Sequence, residues 1–140
     1  MNTSPNGIAF IQGNEGYTAR PKDDNGHRMW GFGHDQVGSE WIPPFISLQD
    51  ATALLVTDLT QRFDPQVSAL APWATQNQFD ALADFAYNLG VAALATLLHH
   101  GQSQVLQQLP AWCYEHVNGV LVKSPGLAAR RAKEIALYGS

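Results

Sequence analysis

Three carboxylates surround a glycine-rich segment near the start of a chain that carries little charge. Glu15, Asp23 and Asp24 all lie in the stretch NEGYTARPKDDNGHRMWGFGH, residues 14–34, whereas charged residues make up only 14% of the 140 residues. One carboxyl kept protonated beside one kept ionised is the arrangement that hydrolyses glycosidic bonds. The run Asp-Asp-Asn-Gly at 23–26 is also the composition of an ordinary polar turn, so the interpretation depends on the elements around it.

Glu15 is predicted to lie at the C-terminal end of a short opening helix. Ser4 and Pro5 have the residue types of a helix start, and Gly16 has the residue type of a helix stop. The helix macrodipole disfavours a negative charge in the last turn and therefore tends to raise the pKa of the Glu15 carboxyl. A general acid that works near neutral pH needs such an environment.

Arg131 is predicted to lie on an apolar stripe of the last helix, whereas Arg130 falls on a different face beside Glu134. An arginine on an apolar stripe needs a carboxylate in the interior, and Glu15 is the candidate partner. The alternative is that the Arg131 side chain extends to the edge of the apolar surface and keeps its charge in water.

The segment RMWGFGH, residues 28–34, alternates like a strand that is buried on one face. The core-facing row is Trp30, Phe32 and His34, and the opposite row is Met29, Gly31 and Gly33. The two glycines either mark a bulge or leave bare backbone that a bulky ligand can approach. A buried histidine needs a hydrogen-bond partner, and Asp58, on a predicted helix, is the candidate for His34.

The remainder of the chain is predicted to be helical, with no strand pattern after residue 46. SLQDATALLVTDL and TQNQFDALADFAYNLG both open with capping-box spacing, and VAALATLLHHG is apolar enough for a central buried helix. AWCYEHV is taken as a further helix after Pro110. We therefore expect an α+β, predominantly helical fold in one domain, 1–140, with a small β-containing lobe at about 15–46 and a helical lobe at 47–140 flanking a cleft.

Composition excludes several classes of partner and cofactor. Eight Lys and Arg residues and a net charge of −4 argue against nucleic acid and against an anionic membrane surface. No apolar run reaches the length of about 18 residues that a membrane span needs. The single Cys113 provides neither an internal disulfide nor a metal-binding cluster, and the first residues show no signal-peptide pattern.

Four stretches together resemble the phage-lysozyme (endolysin) family of muramidases, glycoside hydrolase family 24. In chain order they are NEGYTARPKDDNGHRMWGFGH, DATALLVTDL, QFDALADFAYNLGVAAL and PGLAARRAKE. Each motif is weak alone, but the order and the coverage of nearly the whole chain are specific. The resemblance implies a two-lobed lysozyme-like fold and cleavage of the β-1,4 bond between N-acetylmuramic acid and N-acetylglucosamine in peptidoglycan.

The resemblance also implies roles for individual residues, with no metal and no cofactor. Glu15 matches the general-acid glutamate, and Arg131 matches the arginine that pairs with it. His34 and Asp58 match a structural pair that supports the site. The residues expected to contact the glycan are Met29, Gly31, Phe32 and Asn88.

Two departures from the family pattern bear on the second catalytic group. One residue is missing between Glu15 and Met29, so either Asp23 or Asp24 can occupy the catalytic aspartate position, and the Asp-x-x-Gly spacing favours Asp23. Met29 occupies the position of a threonine that helps to hold the attacking water, and a thioether is a poor partner for water. Either the aspartate acts alone, or another group replaces the threonine, or the chain is a degenerate peptidoglycan-binding module with little hydrolase activity.

The family resemblance further implies a monomer of phage or bacterial origin that acts on peptidoglycan glycan strands without stable membrane association. We expect it to remain in the cytoplasm until another factor releases it to the cell wall or periplasm.

Overall fold

The computed structural model describes residues 1–24 and 26–140. Asn25, which belongs to the predicted polar turn, lies outside the described residues. The α-helices are α1 (Pro5–Glu15), α2 (Leu48–Asp58), α3 (Asp64–Leu70), α4 (Gln76–Leu89), α5 (Val91–Leu98), α6 (Val105–Gln108) and α7 (Pro125–Tyr138). The strands are β1 (Thr18–Asp24), β2 (His27–Gly31), β3 (His34–Asp35), β4 (Tyr114–Val117) and β5 (Val120–Lys123). A π-helical segment, Leu59–Phe63, joins α2 to α3. The predicted α+β, predominantly helical class is confirmed.

The longer helices begin where side-chain oxygens accept hydrogen bonds from free backbone N–H groups. The Ser4, Ser47 and Ser124 hydroxyls accept such bonds at the starts of α1, α2 and α7. At the start of α4, the Thr75 hydroxyl and the Gln78 side chain form the predicted capping box. Each cap satisfies groups that would otherwise lack a partner at the helix terminus, which explains why these sequence signals locate the helix starts.

The first three strands form an antiparallel sheet in the order β1-β2-β3. Trp30, Phe32 and His34 are all buried, so the predicted core-facing row is confirmed. The segment is not one strand, however, because the chain folds back after Gly31 and pairs Trp30 with His34. Gly31 and Gly33 have φ angles of 67° and 78°, a conformation that favours glycine and permits the tight reversal.

Two apolar clusters hold the elements in place. One joins the sheet to α1 and α2, through Ile11, Trp30, Phe32, Ile46, Ala51, Leu55 and Leu59. The other surrounds α4, which packs against α1, α3, α5 and α7 and buries Phe79 and Phe85. The prediction that VAALATLLHHG forms the central helix is wrong, because α5 buries only Leu94 and Leu97 and packs through one face.

A second hairpin, β4–β5, replaces the helix predicted for AWCYEHV. Tyr114 pairs with Lys123 and Val117 with Val120 across a tight turn. The turn residues Asn118 and Gly119 both have positive φ, at 52° and 78°. Asn-Gly between β-branched residues is a strong hairpin signal, and it outweighs the short helical pattern. In the part of the chain that the structure describes, no helix is sufficiently long and apolar to cross a membrane.

The N-terminal residues attach α1 closely to α3 and α4. The Thr3 hydroxyl donates to the buried Asp64 at 2.6 Å, and the Ser4 backbone N–H donates to Asp80 at 2.9 Å. Gly7 lies against Asp80, because a Cβ at Gly7 would be 2.5 Å from the Asp80 Cγ. This close approach sets the direction of the helix that carries Glu15 to its last residue.

Two glycines of α1 provide a matched test of this packing. We expect Gly7→Ala to lower the free energy of unfolding by about 1–3 kcal/mol, because the added methyl group has no space beside Asp80. Gly13→Ala, in the same helix, meets nothing within 4 Å. It should raise the free energy of unfolding by about 0.4–1 kcal/mol through the loss of unfolded-state entropy. Urea denaturation of both variants measures the difference, and equal effects would contradict the packing of α1 on α4.

Candidate active site

Glu15 is the last residue of α1, and its side chain is only 18% exposed. The chain leaves the helix at Gly16, where the backbone N–H bonds to Gln12. A Cβ at Gly33 would lie 2.5 Å from Glu15 Oε2, so only glycine leaves space for the carboxyl group there. The sequence therefore places a mostly buried carboxyl against the bare backbone of the turn between β2 and β3.

Arg130, not Arg131, pairs with Glu15. Arg130 Nη2 lies 2.9 Å from Glu15 Oε1. The same guanidinium donates from Nε and Nη2 to the two oxygens of Asp84, at 3.0 and 2.8 Å. The pairing predicted between Arg131 and Glu15 is wrong because neighbouring helical residues point in different directions, and the Arg130 side of α7 is the one that meets α1 and α4.

Arg131 is buried in a separate pair, with 1% of its surface exposed, so it does not extend into water. Its Nη2 donates to Glu134 and to Asn88 Oδ1, both at 2.7 Å. Its guanidinium also stacks 4.9 Å from the centre of the Phe85 ring. The i+4 pair predicted between Arg130 and Glu134 is therefore replaced by an i+3 pair between Arg131 and Glu134.

The two pairs meet at Asp84, which is fully buried in α4. Burial and the nearby Asp84 carboxylate raise the pKa of Glu134 well above its ordinary range, although Arg131 opposes the shift. The Glu134 carboxyl is thereby shifted toward its protonated form, and among the described residues its Oε2 has no hydrogen-bond partner. The two hydrogen bonds from Arg130 fix the Asp84 carboxylate directly behind Glu15.

The pKa of Glu15 is raised above its ordinary value of 4.5. Burial is the largest cause, the charge and hydrogen bond of Arg130 oppose it, and the charges of Asp84 and Asp35 add to it. The position of Glu15 at the end of a helix correctly predicts that its pKa is raised, but the largest cause of the increase is desolvation. A carboxyl group in this state can release a proton to a bound molecule and remain paired with Arg130 afterwards.

Glu15 faces a polar pocket that continues into a longer groove. The pocket is lined by Glu15, Asp24, Met29, Gly33, Asp35, Tyr87 and Asn88. The adjoining groove is lined by Asp35, Arg62, Phe63, Tyr87, Asn88, Leu89, Gly90 and Val91. Because Asp35, Tyr87 and Asn88 line both, the two form one continuous cleft between the sheet and α4.

Asp24 and Asp23 lie on opposite faces of β1. Asp24 lines the pocket with Glu15, whereas Asp23 is 76% exposed and lies 3.6 Å from Arg28. Neighbouring strand residues alternate between faces, so only one of the two can face the cleft. The geometry therefore favours Asp24, and the preference for Asp23 based on the Asp-x-x-Gly spacing is not supported.

Two of the four predicted glycan contacts line the pocket, and two are buried in the core. Met29 and Asn88 line the pocket. Gly31 instead packs on Ala51, where a Cβ would lie 3.5 Å from the Ala51 side chain. Phe32 is buried, and its backbone carbonyl accepts a 2.6 Å hydrogen bond from the Tyr87 hydroxyl. The bare backbone of this turn faces Glu15 at Gly33. The prediction that the backbone at Gly31 lies open to a ligand is therefore wrong.

The predicted contact between His34 and Asp58 is confirmed, at 2.6 Å from Nδ1 to Oδ2. A second carboxylate was missed, because His34 Nε2 also lies 2.7 Å from Glu40 Oε1. Burial lowers the pKa of His34, but the hydrogen bonds and charges of Asp58 and Glu40 outweigh it and raise the pKa above its ordinary value. His34, Asp58 and Glu40 thus form a triad that favours the charged imidazole, and the contact with Asp58 joins the sheet to α2.

Sequence reasoning also missed Asp84 and Asp35. Asp84 could have been found, because it is a single charge within the apolar run of α4, in the segment ALADFAYNLG. Asp35 carries no such signal, because its place in the cleft depends on the tight reversal at Gly33.

The family with the description phage lysozyme matches residues 12–134, and the chain belongs to this family. An endolysin of Bacillus phage PZA is 36% identical over 152 residues, which cover 100% of this chain and 56% of that protein. The chain thus spans about half the length of that curated relative.

Solved structures share the fold across the whole chain. The muramidase domain of SpmX from Asticaccaulis excentricus superposes with a TM-score of 0.86 at 29% identity, covering 99% of this chain and 97% of that one. An endolysin from Escherichia coli O157:H7 phage FAHEc1 gives a TM-score of 0.85 at 28% identity, covering 99% and 93%. These matches confirm the predicted lysozyme-like fold.

The charged triad around His34 predicts a specific dependence of stability on pH. Because the pKa of His34 is higher in the folded state, its contribution is fully present below the unfolded-state value of 6.5 and is lost as the pH rises through the folded-state pKa. Urea denaturation at a series of pH values measures the free energy of unfolding of the wild type and of His34→Gln. The difference between the two should shrink as the pH rises from the unfolded-state to the folded-state pKa of His34. His99→Gln, an exposed control, should leave the pH dependence unchanged. A constant difference for His34→Gln would contradict a charged triad.

Proposed function

We propose that the protein is a peptidoglycan muramidase that hydrolyses the β-1,4 bond between N-acetylmuramic acid and N-acetylglucosamine and so lyses bacterial cell walls. Membership of the phage lysozyme family supports this function, as does similarity to a muramidase domain and to endolysins. The observation that carries the proposal is the mostly buried Glu15 carboxyl, which lines an elongated polar cleft and is bound from behind by Arg130.

In the proposed mechanism, Glu15 is the general acid. Its raised pKa increases the fraction of enzyme that holds a proton near neutral pH, which protonation of the glycosidic oxygen requires. Once the proton has left, the Arg130 guanidinium stabilises the carboxylate at 2.9 Å. The bidentate bond between Arg130 and Asp84 holds the guanidinium in place, so Glu15 keeps one orientation through both protonation states.

The second group in the proposal is a carboxylate on the opposite side of the cleft, on the sheet. Asp24 lines the pocket there and can stabilise the positive charge that develops on the sugar ring. An inverting reaction needs space for a water molecule, with the two carboxyl groups roughly 6.5–9.5 Å apart. Asn88, which Arg131 fixes through a 2.7 Å hydrogen bond, can position the sugar between them.

Glu15→Gln should abolish turnover, because an amide of the same shape cannot supply the proton. We expect hydrolysis of purified peptidoglycan to fall by at least about 10²-fold. Glu115→Gln, the same change in the exposed β4–β5 hairpin, should retain wild-type turnover. Mass analysis of borohydride-reduced products identifies the cleaved bond, because a muramidase leaves reduced N-acetylmuramic acid at the new ends.

Two results would contradict this function. Turnover retained by Glu15→Gln would exclude Glu15 as the general acid. A wild-type protein that binds insoluble peptidoglycan and releases no new reducing ends would instead identify a binding module, the alternative that Met29 in the pocket suggests.

The proposal extends to partners and location. We infer that the protein acts as a monomer on glycan strands, without stable membrane association or nucleic acid, and remains in the cytoplasm until another factor releases it to the wall. Family membership supports this part. Sedimentation of the purified protein and fractionation of an expressing cell test it.

A further inference from the structure

The strand register places two carboxylates around Met29 on the cleft face of the sheet. Met29 pairs with Lys22 on β1 and with Asp35 on β3. Directly paired residues share a face, and residues two apart on a strand do so too, so Asp24 lies diagonally from Met29 on the same face. His34, between Gly33 and Asp35, is buried on the opposite face, which agrees with this assignment.

Met29 itself cannot hold and activate a water molecule, because a thioether is a weak acceptor and cannot take a proton. The described residues that line the pocket include two carboxylates besides Glu15, namely Asp24 and Asp35. Asp35 also lines the adjoining groove, so it lies where the two parts of the cleft meet. That position brings it next to a sugar that spans the junction.

Asp35 lies between two residues that hydrogen bonds hold in place. Its neighbour His34 is fixed by Asp58 and Glu40 at 2.6 and 2.7 Å. On its other side, the Gln36 backbone N–H donates to the Arg28 carbonyl at 2.9 Å. A group that must aim one water molecule benefits from such support.

We propose that Asp35 is the general base that binds and deprotonates the attacking water, while Asp24 stabilises the charge on the sugar. This inference rests on the proposed muramidase function. Asp35 accepts a proton from water as the water oxygen bonds to the anomeric carbon. The bond from that carbon to the glycosidic oxygen breaks, and Glu15 delivers its proton to the leaving oxygen. Asp35 then loses its proton to solvent and Glu15 regains one, and the anomeric configuration is inverted.

A purely electrostatic role makes a different prediction. The charge of Asp35 contributes to the raised pKa of Glu15. If this were its whole contribution, neutralising Asp35 would move the alkaline limb of the pH–rate profile to lower pH and leave the maximum rate unchanged. Loss of a general base instead lowers the rate at every pH, including the peak of the pH–rate profile.

Removal of the side chain followed by chemical rescue tests the proposal directly. We expect Asp35→Ala to lower kcat on peptidoglycan by about 10²–10⁴-fold, with a similar KM. Azide should restore bond cleavage by entering the vacated space and attacking the anomeric carbon, because it needs no base. The product should be the α-glycosyl azide. Asp23→Ala, on the opposite face of the sheet, should retain wild-type kcat, and Asp24→Ala should lose activity without azide rescue.

The other outcomes overturn the assignment. These are a loss below about tenfold in Asp35→Ala, a loss that azide does not rescue, a shifted pH profile at full maximum rate, or azide rescue of Asp24→Ala instead. If Asp35→Ala fails to fold, Asp35→Asn keeps the volume of the side chain, and its maximum rate across pH decides in the same way. A wild-type protein without turnover would refute the proposed function itself, and that result is distinct from all of these.

Discussion

One guanidinium, that of Arg130, joins three helices at the candidate site. It contacts Glu15 at the end of α1 and Asp84 in the middle of α4, and it extends from α7. Two buried or nearly buried carboxylates close together would be costly without a cation between them. The proposed site therefore needs α7 to cross α1 and α4 at this point, and the apolar packing around α4 holds the three helices there.

The state of Glu15 depends on a balance between burial and charge. Burial raises its pKa, and Arg130 lowers it by favouring the carboxylate. Without the arginine the group would stay protonated and would be a poor proton donor, whereas in open water it would ionise too early. The same balance recurs one layer deeper, where burial and the nearby Asp84 raise the pKa of Glu134 while Arg131 lowers it. The site is thus the outer end of a buried chain of carboxyl and guanidinium groups.

Local signals in the sequence predict much of the fold, and contacts between distant segments explain the errors. Ser4 and Gly16 correctly bound the helix that carries Glu15, because caps act within a few residues. The partner of Glu15 could not be chosen between Arg130 and Arg131 by pattern, since the choice depends on how α7 is rotated against α4. Asp35 was missed for a similar reason, because the reversal at Gly33 decides which residues of the segment face the cleft.

The central claim is that a mostly buried Glu15 holds its proton more tightly than an ordinary glutamate. Carbon-13 NMR titration of the side-chain carboxyl, assigned by comparison with Glu15→Gln, measures this directly in the free enzyme. The account predicts a Glu15 pKa clearly above the ordinary value of 4.5. A titration midpoint at or below that value would mean that the Arg130 ion pair outweighs burial, and it would contradict the proposed general acid.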